Sequence, residues 1–224
     1  MTAAAPAEES RRRTLATGAQ ALGLSLPPGA IACCLAYLSM LVKWNKVYNL
    51  TAIRDPDAMV VQHLLDSLAI VPLIEGKRLL DIGSGAGLPG IPVAIARPDL
   101  AVTVLDSNHK KCAFMQQAVS ELHLPNVTVR CTRIEDLPDL VHPTGPPLTF
   151  DTITSRAFAE LVDFVTAALP LLAPEGLLLA MKGVHPIDEI SRLPDTVKVR
   201  DTQPLSVPGL NAARCAIRME RTPK

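Results

Sequence analysis

A glycine-rich turn between two apolar segments is the densest chemical signal in the chain. Residues 80–90 read Leu-Asp-Ile-Gly-Ser-Gly-Ala-Gly-Leu-Pro-Gly. Glycine is needed where a backbone turns sharply and lets a ligand approach without a Cβ in the way. Asp106 ends the next apolar run, where a carboxylate accepts hydrogen bonds from both ribose hydroxyls of an adenosine-containing ligand. The pattern predicts a strand, a nucleotide-binding loop that includes Gly83 and Gly85, and a helix that begins near Pro89.

Two cofactors fit this loop. The spacing Gly85-x-Gly87-x-x-Gly90 matches the dinucleotide fingerprint. Asp81 opposes that ligand, because a carboxylate beside the turn repels a pyrophosphate, whereas the aminopropyl arm and sulfonium of S-adenosylmethionine are cationic. The acid before the loop and Asp106 after it together favour S-adenosylmethionine. A dinucleotide and a loop that binds no ligand are the alternatives.

Further ligand contacts are expected where later strands end, because ligands in this class of fold lie beyond the carboxyl ends of the strands. Ile134 and Glu135 follow the third predicted strand and are expected to face the adenine ring, unless Glu135 belongs to a solvated loop. Arg156 follows the fourth strand and is the candidate catalytic residue. It could hold the donor's carboxylate or stack on the target base, or it could form an ion pair beside the sheet.

The acceptor atom is suggested by motifs that the sequence lacks. No Asn/Asp-Pro-Pro-aromatic tetrapeptide is present to draw a proton from an exocyclic nitrogen, and no Pro-Cys or Thr-Cys nucleophile ends a strand. An acceptor whose lone pair is already free, such as guanine N7, needs neither device. Catalysis would then rest mainly on proximity and alignment of the reacting groups, which lower the activation barrier by about 7–11 kcal/mol when well arranged.

The segments that must position these residues alternate between short apolar runs and helix-length stretches, which predicts a parallel sheet with right-handed crossovers. We therefore expect an α/β fold, with a doubly wound, mostly parallel seven-stranded sheet (76–224) behind a helical N-terminal cap (1–75), as one compact unit. Two late runs, near Val197–Val199 and Ala213–Met219, are expected to add strands at one edge. The other predicted strands are Arg78–Ile82, Ala101–Leu105, Val127–Cys131, Phe150–Thr154 and Leu177–Met181.

Helical periodicity dominates the cap. Apolar residues at 31, 35, 38 and 42 form one stripe, and a second stripe follows an N-cap at Asp55 and a proline in the first turn. His63, Asp66 and Ser67 share one face of this second helix. That face either closes the ligand pocket or ties the cap to the sheet. Asn45 either caps a turn or contacts RNA.

The composition restricts the class of protein but does not identify its substrate. The 224 residues carry 22 basic and 22 acidic side chains, so the net charge of zero leaves nucleic-acid binding open. The five cysteines and five histidines show no metal-ligand spacing, and no metal is expected. The apolar piece from 30 to 42 is shorter than the roughly 20 residues of a membrane span. A cytoplasmic protein is expected, and a proline-rich surface loop is predicted at 137–147.

Taken together, the motifs resemble those of the bacterial small-subunit ribosomal RNA methyltransferase G family, also called glucose-inhibited division protein B. The most specific elements come from the cap and from the end of the fourth strand. The residues that carry the resemblance are Trp44-Asn45-x-x-x-Asn49-Leu50-Thr51, His63-x-x-Asp66-Ser67-Leu68, Asp81-Ile82-Gly83-Ser84-Gly85-Ala86-Gly87-x-Pro89-Gly90-Ile91-Pro92, Asp106-Ser107 with Lys110-Lys111, Arg133-x-Glu135-Asp136, Ser155-Arg156-Ala157 and Lys182-Gly183.

This resemblance implies methyl transfer from S-adenosylmethionine to N7 of one guanine in 16S rRNA, by an enzyme whose loss is associated with low-level streptomycin resistance. A monomer is expected. The implied donor contacts are Gly83, Leu88, Ile134, Glu135 and Arg156, with Asp106 on the ribose and with Asp81 and Gly85 in the same loop. The family often has Phe at position 88, and Leu88 keeps an apolar wall there. The candidate RNA contacts are Asn45, His63, Lys110, Lys111, Arg133 and Lys182. A small-molecule methyltransferase and a non-catalytic RNA-binding module are the alternatives.

Overall fold

Seven strands form a single sheet in the computed structural model, which describes residues 4–137, 148–156, 158 and 160–223. The strands are β1 (Arg78–Ile82), β2 (Ala101–Asp106), β3 (Val127–Cys131), β4 (Phe150–Ser155), β5 (Leu172–Lys182), β6 (Val197–Pro204) and β7 (Cys215–Arg221). Their order across the sheet is β3-β2-β1-β4-β5-β7-β6. β7 pairs antiparallel with β5 and β6, and the other pairings are parallel. The predicted doubly wound, mostly parallel seven-stranded sheet is confirmed.

The central strand β1 shows why the apolar runs form this sheet. After Arg78, all four remaining residues of β1 are buried, which is the signature of a strand covered on both faces. Leu79 is in register with Val102 of β2, and Leu80 is in register with Ile153 of β4. The predicted bounds of β1 and β3 are those observed, whereas β5 begins at Leu172, earlier than predicted. The two late runs become β6 and β7 at one edge, as predicted.

Helices precede the sheet and cover both of its faces. The described helices are α1 (Ala4–Ala21), α2 (Ala30–Tyr48), α3 (Pro56–Met59), α4 (Asp66–Leu68), α5 (Gly90–Ala96), α6 (His109–Glu121), α7 (Leu161–Ala168) and α8 (Ile187–Ser191). A π-helical segment (Val60–Leu65) joins α3 to α4 as one continuous helix. Asp55 caps this helix as predicted, since its carboxylate accepts the backbone N–H groups of Asp57 and Ala58 at 3.3 and 3.0 Å.

Helix α2 differs from its predicted form in length and in phase. It spans 19 residues and is long and apolar enough to cross a membrane by length and composition alone, while residues such as Leu35, Leu38 and Leu41 pack into the apolar core. The predicted stripe is only partly right. Leu35 and Leu38 are buried, whereas Ile31 and Val42 are half-buried, because α1, α5 and α6 all contact α2 and bury more than one stripe.

Two apolar layers sandwich the sheet. The first contains cap residues such as Leu15, Leu38 and Leu64 together with Ile91 of α5 and Phe114 of α6. The second packs α7 against the opposite face of the sheet. Because cap and sheet share the first layer, the cap is held against one face of the sheet. Most of the proline-rich loop predicted at 137–147 lies outside the described residues.

Candidate active site

The glycine loop turns where β1 ends, and its backbone requires glycine at several positions. Gly83, Gly85 and Gly87 have φ values of 67°, 61° and 87°, in the left-handed region that side chains disfavour. A Cβ at Gly87 would lie 2.4 Å from Cδ1 of Ile91, so helix α5 packs directly against the loop. As predicted, α5 begins just after Pro89. The Tyr37 hydroxyl donates to the carbonyl of Ala86 at 2.6 Å and joins the loop to the cap.

Asp81 lies buried beneath this loop. Its Oδ2 accepts the Gly90 N–H at 2.9 Å, which fixes the start of α5, while its Oδ1 has no hydrogen-bond partner among the described residues. Burial raises the pKa of Asp81 from 3.8 to about 7. A cationic group near the loop would favour the ionised form of this carboxylate.

Asp106 ends β2 and faces the loop from the neighbouring strand. Its Oδ2 accepts the Gly85 N–H at 2.9 Å, and its Oδ1 accepts the Asn108 N–H at 2.8 Å. The Lys111 ammonium lies 3.5 Å from Oδ2. The carboxylate is therefore held in place, and each oxygen still has lone-pair capacity for a ligand hydroxyl.

A cleft of about 400 Å³ opens where β1, β2 and β3 end. It brings together four of the predicted donor contacts, Gly83, Asp106, Ile134 and Glu135. Phe158 also lines the cleft and was missed by sequence reasoning, because a single Phe after a strand carries no signal. Lys111 and Arg133, predicted to contact RNA, line this same cleft.

The remaining predicted donor contacts lie behind or beside the cleft. Leu88 is only 3% exposed and packs in the apolar layer under the loop, and Asp81 is fully buried. Gly85 touches the cleft wall through its hydrogen bond to Asp106. Arg156 lines a neighbouring cavity instead.

This second cavity, of about 360 Å³, lies between the cap and the ends of β4 and β5. Its walls are Ile53, Gln62, His63, Asp66, Arg156, Met181, Lys182, Gly183 and Arg214. β1 and β4 are adjacent strands, and the Ser155 hydroxyl donates to the Ile82 carbonyl at 2.9 Å. Gly83 of the cleft and Arg156 of the cavity therefore follow neighbouring strand ends.

A buried carboxylate between two arginines organises the cavity. Asp66 has a side chain only 2% exposed, with Oδ2 3.3 Å from Nη1 of Arg156 and Oδ1 3.0 Å from Nε of Arg214. Arg156 also donates to the carbonyl of Gln62 at 3.3 Å. Asp66 therefore ties the cap to the residues that follow β4 and precede β7, and it also lines this cavity. Ser67 is fully buried and does not line this cavity.

His63 lies in the cavity wall as a neutral hydrogen-bonding group. Its Nε2 is 2.9 Å from Oγ1 of Thr51, and its Nδ1 is 3.1 Å from the carbonyl of Gln62. Burial, followed by the nearby Arg156 guanidinium, lowers the pKa of His63 from 6.5 to about 4. The bonds assign the proton to Nδ1, so the Thr51 hydroxyl donates to Nε2.

The other predicted RNA contacts fall into three environments. Asn45 is 2% exposed and its amide bonds to Thr51 and Ile53, so the structure favours the turn-capping role over RNA contact. Lys182 lines the cavity and pairs with Glu189 at 2.7 Å. Lys110 is exposed near the start of α6.

Arg214 is the main cavity residue that sequence reasoning missed. It precedes β7 and reaches Asp66 across 148 positions of sequence, and no local motif surrounds it. The sequence offered only a lone arginine just before the last strand, β7. Within the ranges that the structure describes, no group of three or more His, Cys, Asp or Glu side chains could hold a metal ion.

Comparisons with known proteins agree with this geometry. The sequence model of a family described as rRNA small subunit methyltransferase G matches residues 31–218. The chain is 52% identical over 206 residues to "Ribosomal RNA small subunit methyltransferase G" of Chromobacterium violaceum, covering 92% of this chain and 95% of that relative. A relative of the same name from Neisseria meningitidis serogroup B is 51% identical over 205 residues, covering 91% of this chain and 95% of the relative.

Solved structures share the fold at low sequence identity. The O-methyltransferase TomG from Streptomyces achromogenes, solved in complex with SAM, matches with a TM-score of 0.57 and 18% identity, covering 84% of this chain and 90% of that chain. TrmN from Thermus thermophilus matches with a TM-score of 0.53 and 21% identity, covering 70% of this chain and 47% of that chain. These similarities show a methyltransferase-like fold and carry no information on the acceptor.

Proposed function

Because the chain belongs to the rRNA small subunit methyltransferase G family, we propose that it transfers the methyl group of S-adenosylmethionine to N7 of a guanine in 16S rRNA. The observation that carries this proposal is the cleft at the ends of β1 to β3, where Gly83, Asp106, Ile134 and Glu135 meet. These residues have the chemistry that the donor's ribose and adenine require.

The donor side of the site is matched in shape and charge. Asp106 has its oxygens fixed by two backbone N–H groups and accepts the ribose hydroxyls. Ile134 and Phe158 provide apolar walls for the adenine, and Glu135 accepts from its polar edge. When bound, S-adenosylmethionine supplies the electrophilic methyl group.

Asp81 favours this donor over a dinucleotide. A buried carboxylate with an unpartnered oxygen lies directly under the loop. Its negative charge opposes a pyrophosphate and stabilises the donor's ammonium and sulfonium groups, since electrostatic effects are strong where water is excluded.

The acceptor side is the cavity beside the cleft. Arg156 and Arg214, held by Asp66, give its wall the positive charge that an RNA nucleotide requires. Guanine N7 loses no proton before it attacks, so the site needs no general base. His63, whose pKa of about 4 keeps it neutral, acts as a fixed hydrogen-bonding group. Arg156 follows a strand adjacent to the donor loop, so we assign it the alignment of donor and base.

We further propose that the substrate is the RNA of the small ribosomal subunit and that the enzyme acts in the cytoplasm, as a monomer and without a metal. Residues 1–75 form the cap and residues 76–224 form the donor-binding domain, in one compact unit.

The test is transfer of label from radioactive S-adenosylmethionine. Purified protein is incubated with small subunits from cells that lack the gene, with large subunits, and with a set of small-molecule acceptors. We expect label in small-subunit RNA alone, and strongly reduced label with Arg156→Ala. Label in a small molecule would favour the alternative enzyme, and donor binding that calorimetry cannot detect would favour the non-catalytic RNA-binding module.

A further inference from the structure

Large apolar side chains are exposed at two places, and both lie close in sequence to residues that line the cavity containing Arg156. Among the described residues, the exposed large apolar side chains are Val47, Tyr48, Val184 and Ile187, which are 69%, 44%, 78% and 70% exposed. The first pair ends α2, shortly before the cavity residue Ile53. The second pair follows the cavity residues Lys182 and Gly183. Exposed apolar side chains grouped around a pocket indicate a binding surface.

The segment 43–54 carries positive charge together with its apolar side chains. It contains Lys43, Lys46 and Arg54 and no acidic residue, although the whole chain has 22 basic and 22 acidic side chains. Arg54 folds the turn back onto α2, since its Nη1 donates to the carbonyl of Asn45 at 2.8 Å. This contact keeps the end of α2 next to the cavity mouth. Both lysines are exposed.

The segment 182–187 forms a second part of the rim. It contains Lys182 and His185 and no acidic residue. Glu189 of α8 accepts from Lys182 at 2.7 Å and also accepts the Leu161 N–H at 2.8 Å, which anchors the segment to the start of α7. Val184 and Ile187 are left exposed at the surface. Because Glu189 pairs with Lys182, the positive charge of the rim comes mainly from Lys43, Lys46 and Arg54.

We propose that the segments 43–54 and 182–187 form a docking rim for an unpaired stretch of the substrate RNA on either side of the target base. The proposal rests on the proposed function. Bases pack against Tyr48, Val184 and Ile187, and the phosphates contact Lys43 and Lys46. An RNA occupant fits better than a protein, because unpaired bases offer flat apolar faces while their backbone supplies the negative charge that matches the rim.

Tyr48 is suited to stacking. Its ring contacts Trp44, with centroids 5.2 Å apart, and the residue as a whole remains 44% exposed. Removing an aromatic side chain that stacks on a base weakens binding of unpaired nucleic acid by about tenfold or more. Because Tyr48 does not line the donor cleft, donor affinity is expected to be independent of the ring.

The test compares kinetic constants for small subunits with donor affinity. We expect Tyr48→Ala and Ile187→Asp each to raise KM for subunits by about tenfold while the Kd for S-adenosylmethionine stays unchanged. Tyr48→Phe keeps the ring and is expected to behave as wild type. Lys77→Glu is the surface control, since Lys77 precedes β1, at the opposite end of that strand from the glycine loop, and its side chain is 72% exposed.

Subunit KM values within twofold of wild type for both Tyr48→Ala and Ile187→Asp would overturn the docking rim, as would an equal rise for Lys77→Glu. A photoreactive benzoylphenylalanine at position 48 identifies the occupant, and we expect a cross-link to 16S rRNA. A cross-link to a ribosomal protein alone would overturn the assignment to RNA. Wild-type protein that binds donor but labels no subunit RNA would overturn the proposed function instead, before any variant is compared.

Discussion

Replacing Asp81 by asparagine separates the effect of the buried carboxylate on folding from its effect on donor binding. Oδ2 of Asp81 accepts the Gly90 N–H at 2.9 Å, and Oδ1 has no partner within the described parts of the chain. Asparagine has nearly the same shape, keeps an oxygen for that N–H, and carries no charge at any pH. The substitution therefore removes the charge while the loop keeps its geometry.

The magnitude follows from the pKa. Burial raises the pKa of Asp81 from 3.8 to about 7. Between these values the folded chain holds a proton that the unfolded chain has released, so the free energy of unfolding falls as pH rises. The fall is about 1.4 kcal/mol per pH unit, or about 4 kcal/mol in total, absent below about pH 4 and complete above about pH 7.

At pH 8 the Asp81→Asn variant avoids this loss but leaves its amide N–H₂ group without an acceptor, which costs about 1–3 kcal/mol. We therefore expect the variant to be more stable than wild type by about 2 kcal/mol at pH 8, with a Tm about 4–8 °C higher. Its stability should also lack the decline that wild type shows between about pH 4 and pH 7.

Donor binding should respond in the opposite direction. A cationic donor lowers the pKa of Asp81, so binding releases a proton, and wild-type affinity is expected to fall by up to about tenfold per unit below about pH 7. The Asp81→Asn variant should bind donor more weakly at pH 8 and lack this additional pH dependence. Calorimetry at several pH values, in buffers of different ionisation enthalpy, measures both the affinity and the released proton.

Asp99→Asn is the control, because Asp99 lies before β2, at the opposite end of the strand from Asp106, and its side chain is 45% exposed. It should leave donor binding unchanged at every pH. An Asp81→Asn variant that is less stable than wild type at pH 8 and keeps the wild-type pH profile of donor affinity would refute the reasoning.

Three further predictions concern the loop, the ribose contact and the cavity. Asp106→Ala should raise the donor Kd by tenfold to about a hundredfold, because charge-assisted hydrogen bonds are lost, and unchanged affinity by calorimetry would exclude the ribose contact. Asp66→Asn should lower the free energy of unfolding by about 3 kcal/mol and loosen Arg156. A denaturation midpoint and turnover equal to wild type would show that this ion pair contributes as little as an exposed one. Gly87→Ala places a Cβ 2.4 Å from Ile91 at a φ of 87° and should destabilise the chain by about 2 kcal/mol while weakening donor binding. Normal thermal stability and donor affinity in that variant would show that the loop tolerates a side chain.

The sheet was predictable because each strand can be recognised from its own stretch of sequence. Apolar runs such as 78–82 are buried on both faces, so each reads as a strand without knowledge of its neighbours. The helices between them fix parallel pairing and handedness. Helix α2 was less predictable, because helices from both halves of the chain surround it and its stripe was inferred from one face only. The π-helical segment at Val60–Leu65 leaves no trace in apolar spacing.

The donor cleft was more predictable than the acceptor cavity for a related reason. Gly83, Asp106, Ile134 and Glu135 each follow a strand directly, and parallel strands bring their carboxyl ends to one edge. The cavity instead depends on contacts such as Asp66 with Arg214, which are distant in sequence. Burial of Asn45, which favours its turn-capping role, likewise depends on a turn that only the folded chain shows.

The central claim is the identity of the methylated atom. Small subunits from cells lacking the gene are incubated with the protein and radioactive S-adenosylmethionine, and their RNA is hydrolysed to nucleosides. The account predicts that all RNA label elutes with 7-methylguanosine and that Arg156→Ala nearly abolishes it. Label in any other nucleoside, or unlabelled RNA from protein that binds donor, would contradict the account.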